Sequence, residues 1–323
     1  MIALTIRPYA GESDLQPIVD LLNACEAVDQ EDNFYSVTDL QIGFAQPKFD
    51  PTQNIRLWES AGRLFAYAKL WAPPEPVDSL DVFLWLRVHP AERHRGLETE
   101  ILAWAEMRAQ EIAATCQISG QISGKLLVHC RDFQTEQIAV YEQHGFQYER
   151  CFLKMERSLK EAIPEPQLPE GFQVVQVKGA EDAAAWVEMY NQTFIDHWGF
   201  HPSSVEDYCY YISTAKYCAD LDLVAVAPDG TFAAFCYSHI DTEENQHRQR
   251  REGWISCLGT RRGFRRLGLG RAMLLIGLQR LQKAGMEMAY LGVDTENPNC
   301  AQTLYESVGF HKVHASLSYS KPI

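Results

Sequence analysis

A chain that carries one pattern twice is constrained to fold as two similar domains or as a repeat array, and this sequence does carry one pattern twice. Both halves open with an extended segment, Ala3 to Pro8 and Phe172 to Val177. Each is followed by a helical pattern that begins near an aspartate and has an asparagine nine residues on. These pairs are Asp14 with Asn23 and Asp182 with Asn191, offset by 168. A turn glycine before an alternating strand recurs at Gly62 and Gly230, again 168 apart. The run Tyr141-Glu-Gln-His-Gly-Phe146 returns as Tyr305-Glu-Ser-Val-Gly-Phe310 at an offset of 164. Four landmarks in one order predict a duplicated α/β domain.

The 323 residues suffice for two cores. Pro164, Pro166 and Pro169 remove backbone donors between the copies, so that stretch reads as a linker. The expected division is 1–160, a linker at 161–171, and 172–323. Strand-like stretches at Val82 to Val88 and Trp254 to Leu258 are each followed by a turn and a long amphipathic helix. That order predicts a mixed α/β fold, each copy a mixed sheet with helices on both faces.

Nine cysteines stand singly without a C-x-x-C pair, so neither a disulfide framework nor a zinc site is signalled, and no metal is expected. The longest apolar run, Ala272 to Leu278, is far short of the roughly 20 residues of a membrane span. Met1 to Arg7 lacks the pattern of a secretory signal, so a cytoplasmic protein without membrane partners is expected. Acidic residues outnumber basic ones 43 to 29, giving a net charge of −14 and arguing against nucleic acid as a partner. A dense basic cluster in such a chain needs a local reason.

That cluster lies in Arg261-Arg-Gly-Phe-Arg-Arg-Leu-Gly-Leu-Gly270, between the strand ending near Thr260 and a helix whose apolar face is Ala272, Leu275, Ile276 and Leu278. Gly268 and Gly270 let the backbone approach a ligand, and the free N–H groups opening the helix favour an anion. Arg261, Arg262, Arg265, Arg266 and Arg271 repel one another there unless phosphates neutralise them. The segment has no G-x-x-x-x-G-K-[ST] and no G-x-G-x-x-G, which disfavours a P-loop or a dinucleotide fold.

Arg265-x-x-Gly268-x-Gly270 after a strand resembles the acyl-CoA signature of the GNAT superfamily of N-acetyltransferases. Leu291 to Asn297 and Tyr305 to Phe310 resemble that family's later strand and helix, and the likeness covers the chain twice over. The resemblance implies two tandem GNAT-like domains. The backbone of Leu258, Gly259 and Thr260 would pair with the pantetheine arm. Arg265, Arg266, Leu267, Gly268, Leu269, Gly270 and Arg271 would hold the pyrophosphate, and Asn297 would line the same cleft. In the first copy Arg93 and Gly96 stand in the matching places, but Glu98 replaces Gly270. Its carboxylate would repel a pyrophosphate, so 1–160 is expected to be a degenerate copy and 172–323 the acyl-CoA-binding one.

Acyl transfer from a thioester to an amine needs a neutral amine, a donor for the carbonyl oxygen as it gains charge, and a proton for the departing thiolate. A backbone N–H near Leu258 on a locally splayed strand is the candidate donor. Tyr305 is the candidate acid, on a helix that Asn297 would cap and Pro298 would open, with packing against Phe310 as its structural alternative. Glu252 is the candidate base, with Asp241 and Glu243 behind it. Asp196, His197 and Trp198 are candidates for the acceptor site, the first two orienting a cationic amine and the third walling the pocket.

The expected function is N-acetyl transfer from acetyl-CoA to a primary amine of a small molecule, by a monomer or homodimer. The alternative is a tandem GNAT-like protein that senses acyl-CoA or binds a partner without turnover.

Overall fold

The computed structural model describes residues 4–76, 79–115 and 123–323. Two compact units emerge, and they do not follow the linear division. The first is Met1–Arg150 with Ser316–Ile323, and the second is Cys151–Ala315.

In the first unit the order is β1 (Thr5–Pro8), α1 (Leu15–Asp29), α2 (Val37–Phe44), α3 (Pro51–Asn54), β2 (Ile55–Ser60), β3 (Arg63–Trp71), β4 (Leu80–Val88), α4 (Leu97–Thr115), β5 (Gly124–Arg131) and α5 (Thr135–Gln143). Strand β6 (Gln147–Ser158) then crosses the division between the units. The second unit continues with β7 (Gln173–Gln176), α6 (Ala183–Phe194), α7 (Val205–Ser213), β8 (Asp222–Val226), β9 (Phe232–His239), α8 (Thr242–Arg248), β10 (Glu252–Thr260), α9 (Leu269–Lys283), β11 (Met288–Asp294) and α10 (Ala301–Glu306). Strand β12 (His311–Pro322) crosses back.

The units therefore exchange their last strands. Within the first, β1 to β5 follow one another and Ser316–Pro322 of β12 adds antiparallel to β5. Within the second, β7 to β11 follow one another and Phe152–Ser158 of β6 adds antiparallel to β11. A sequence repeat is blind to this, because each copy contains a last strand and only pairing tells whose sheet it completes. The proline-rich stretch is not the boundary: Ile163 and Leu168 pack on the core of the second unit.

The repeat holds at the level of single hydrogen bonds. Asp14 accepts from the Ala10 N–H at 2.7 Å, as Asp182 does from Lys178 at 2.8 Å. Asn23 donates to the Tyr35 carbonyl and Asn191 to that of Ser203, both at 3.0 Å. Ser36 with Asp39 and Ser204 with Asp207 form matching capping boxes, 168 apart, that start α2 and α7.

Each sheet buries both faces. In the first unit Ile18 and Leu22 of α1 lie over Leu57 and Tyr67, while Ile101 and Leu102 of α4 lie over Leu84 and Val128. In the second, Trp186 and Val187 of α6 pack on Phe235, and Leu274 and Leu278 of α9 pack on Leu291. Helix α9 approaches so closely that a Cβ on Gly277 would lie 2.5 Å from Cys236 Sγ. Truncating a buried leucine such as Leu278 to alanine would cost about 2–5 kcal/mol.

Candidate active site

In the second unit β10 runs parallel to β11 only from Glu252 to Trp254, whereas it stays paired with β9 as far as Thr260. The two central strands thus diverge, leaving one edge of β10 from Ile255 onward without a ladder partner. A β-bulge falls in that stretch, because Ile255 opposes Ser238 and Cys257 opposes Tyr237, with Ser256 extra. The bulge re-aims backbone N–H groups into the opening. Leu258, Gly259 and Thr260 line the same edge. At Gly259 a Cβ would sit 2.3 Å from Thr193 Cγ2, so α6 can pack there only against glycine.

The signature loop follows. Gly268 takes φ +88° as the N-cap of α9, and a Cβ on Gly270 would press on Thr260 Oγ1 at 3.3 Å. The Ala272 N–H closes the first helical bond, to Gly268. Those of Leu267 to Arg271 make no hydrogen bond among the described residues. The first turn of α9 carries no acidic side chain. The positive helix end is therefore open to a phosphate, as the group expected there requires.

The arginines behave differently from the expectation. Arg265 does not point into the opening: it donates to the carbonyls of Thr260 (3.3 Å) and Thr193 (2.9 Å) and to Asp196 (3.1 Å). Arg262 also donates to Asp196, Arg261 to Glu188 at 2.6 Å, and Arg271 to Ser307 Oγ at 2.6 Å. Acids of α6 and its C-terminal extension already offset the cluster's repulsion. Arg266 alone of the five makes no hydrogen bond or ion pair among the described residues. Asp196 is correspondingly placed on the cofactor loop, and the hydrogen bonds from Arg262 and Arg265 hold its carboxyl below the ordinary range.

Tyr305 lies on α10, its ring 8% exposed and 6.1 Å from that of Phe310. Gly309 at φ +96° and the Phe310 N–H bond to the Tyr305 carbonyl form the cap that sets this pairing. Packing and chemistry are not exclusive here, because the hydroxyl makes no hydrogen bond among the described residues. Burial raises its pKa, helped by the Cys257 and Cys236 thiols, and Tyr305 shares its core cluster with Ile255 and Leu258 of β10. Helix α10 begins at Ala301 rather than at Pro298. Asn297 accepts from the Asn299 N–H at 2.8 Å, so it orders the turn before the helix instead of capping it.

Glu252 stands at the closed end of the β10/β11 pair, opposite Met288. Its carboxylate accepts from the Tyr290 hydroxyl at 3.3 Å and faces Arg250 at 3.5 Å. Asp241 is committed elsewhere, capping α8 through the Glu244 N–H (2.9 Å) and pairing with Lys216 (2.5 Å). His197 contacts the Trp198 carbonyl through Nδ1 at 3.0 Å, and Trp198 packs on Phe152 at 5.7 Å. Phe152 opposes Asp294 at the open end of β11, so Trp198 borders that end. No group of three or more His, Cys, Asp or Glu placed to hold a metal occurs among the described residues, and no described helix is long and apolar enough to cross a membrane.

Comparison with known proteins agrees with this geometry. Residues 183–310 match the model of the Acetyltransferase (GNAT) family. Curated relatives include mycothiol acetyltransferases of Salinispora arenicola, 25% identical over 95% of this chain and 93% of theirs, and of Thermomonospora curvata, 26% identical over 73% and 72%. Among solved structures, a GCN5-related N-acetyltransferase from Sphaerobacter thermophilus superposes with TM-score 0.76 at 24% identity, over 99% of this chain and 95% of that one. A tandem GNAT protein from the clavulanic acid biosynthesis pathway superposes with TM-score 0.74 at 14% identity, over 99% and 98%. Residues 183–310 thus form a domain of the GNAT family, and over its whole length the chain is similar to acyltransferases of that family in tandem form.

Proposed function

We propose that the second unit transfers an acetyl group from acetyl-CoA to the primary amine of a small molecule by direct attack. The thioester, when bound, supplies the activated acyl group and a thiolate leaving group. The N–H groups from Leu267 to Arg271 receive the pyrophosphate, with Arg266 as the free side-chain cation. The unpaired edge of β10 beside Ser256 receives the carbonyl oxygen as its negative charge grows. The hydroxyl of the buried Tyr305, without a hydrogen-bond partner among the described residues, donates a proton to the departing sulfur. Glu252, oriented by Tyr290, takes the amine's proton through water, and His197 and Trp198 border the acceptor.

The observation that carries this reading is a tyrosine hydroxyl without a hydrogen bond among the described residues, on a side chain that shares its core cluster with a bulged, half-unpaired strand. The name of the curated relatives supports acetyl as the group transferred. The experiment is a panel of amines (polyamines, amino sugars, aminoglycosides, peptide amines) with acetyl-CoA, read as released thiol. Thiol release with one class of amine is expected. Release with none of them, by a chain that binds acetyl-CoA, would contradict the reading.

A further inference from the structure

The first unit encloses a cavity of about 300 Å³ where β4 and β5 part, at the size where metabolite sites begin. Its loop backbone repeats that of the second unit, with Gly96 at φ +89° and His94 at φ +62° against +88° and +66° at Gly268 and Arg266. Its chemistry is the reverse. Both lining arginines are taken, Arg87 by Glu31 at 2.8 Å and Arg93 by Asp29 in two bonds of 2.6 and 2.7 Å. Burial lowers the lining His129 to a pKa of about 4, so it is neutral at pH 7.

What remains unsatisfied has a definite character. Glu98, half-buried in the first turn of α4, makes no hydrogen bond or ion pair among the described residues. Its negative charge suits the helix start. Gln137 Nε2 is buried and makes no well-formed hydrogen bond, interacting only with the Tyr141 hydroxyl, so a ligand oxygen would complete it. An anion would find no free cation and a bare carboxylate. Val28 (61% exposed) and Phe133 (51%) give the wall an apolar, solvent-facing part.

We propose that this cavity is a binding site for a small organic monocation bearing an oxygen acceptor, of the amino alcohol class, with its ammonium on Glu98 and its oxygen on Gln137. The site is separate from the acetyl-transfer reading and stands or falls without it. The probe is 3-amino-1-propanol, titrated into the full chain by ligand-observed NMR, with n-butylamine and 1,4-butanediol as controls that lack the oxygen and the charge. Saturable binding of the amino alcohol is expected. Glu98→Gln should weaken it by about tenfold or more, since a charge-assisted bond is lost. Gln137→Leu should weaken the amino alcohol towards the level of n-butylamine without changing n-butylamine itself. Gly270→Glu, which alters only the loop of the second unit, should leave it unchanged. Glu98 makes no hydrogen bond or ion pair among the described residues, so Glu98→Gln will fold. Absence of saturable binding, indifference to both first-unit substitutions, or displacement of the probe by acetyl-CoA in the Gly270→Glu chain would overturn the proposal.

Discussion

Strands β4 and β10 occupy the same place in the two units and differ in three ways that, on the proposed reading, leave the thioester to the second. Strand β4 stays parallel to β5 from Leu80 to Leu84 and pairs with β3 without a bulge, whereas β10 leaves β11 after Trp254 and bulges at Ser256. Arg87 stands where β10 has Gly259, and Glu31 ties it to Gln134 at 2.8 Å across the mouth of the strand pair. Glu98 stands where α9 has Gly270, so the first-unit helix carries its own anion. On the proposed reading one backbone makes an anion site or refuses one, according to whether the helix start is left bare. The arginine of the signature is common to both units: Arg93 clasps Asp29 and the Val88 carbonyl just as Arg265 clasps Asp196 and that of Thr260. It fixes the loop to the first helix and does not discriminate the copies.

The sharpest way to break this comparison is to make the second loop like the first. Gly270→Glu would place a carboxylate at the α9 start and press on Thr260, and acyl-CoA affinity and turnover should each fall by about 100-fold or more. Retained affinity by calorimetry would show that the helix start is not the anion site. Next in size, Tyr305→Phe should lower turnover by at least tenfold, towards the usual contribution of about 10² to 10⁴ for a general acid. Tyr141→Phe should not, because the Tyr141 hydroxyl faces the His129 carbonyl at 3.5 Å in the unit whose β4 lacks the bulge. Equal loss in both variants, with equal loss of melting temperature, would reduce Tyr305 to packing.

A smaller effect separates the units by pH. His129 of β5 is half-buried, and desolvation lowers its pKa from 6.5 to about 4, while Val293 stands in its place on β11. The unfolded chain takes up this proton near pH 6.5 and the folded one only near 4. Its contribution to stability is therefore present above 6.5 and lost as pH falls through that window. Between pH 7 and 4.5 the melting temperature of His129→Val should gain roughly 5 °C on the wild type. A constant difference would mean that His129 titrates normally. The smallest effect belongs to Asp196→Asn, which should change acyl-CoA affinity by no more than about threefold, since exposed ion pairs contribute little. A large rise in the Michaelis constant of a cationic acceptor would instead return Asp196 to the acceptor site.

Much of this was legible in the residues. The glycine pair, the turn glycines and the Tyr305/Phe310 spacing act through local backbone geometry, so position in the sequence carries them. The same holds for Glu98 against Gly270. The domain division was not legible, since β6 and β12 are each plausible as the last strand of their own copy. Nor were the partners of Arg262 and Arg265, because Asp196 is brought to them by α6 from nearly 70 residues away. The Ser256 bulge leaves no local mark. Arg87 opposite Gly259 was a readable signal, visible once the two copies are aligned on Arg93 and Arg265.

The central claim is that only the second helix start accepts a pyrophosphate. Titration of the full chain with acetyl-CoA by calorimetry tests it most directly. The account predicts one tight site per chain, abolished by Gly270→Glu and untouched by Glu98→Gln. Two equivalent tight sites, or one site that survives Gly270→Glu, would contradict it.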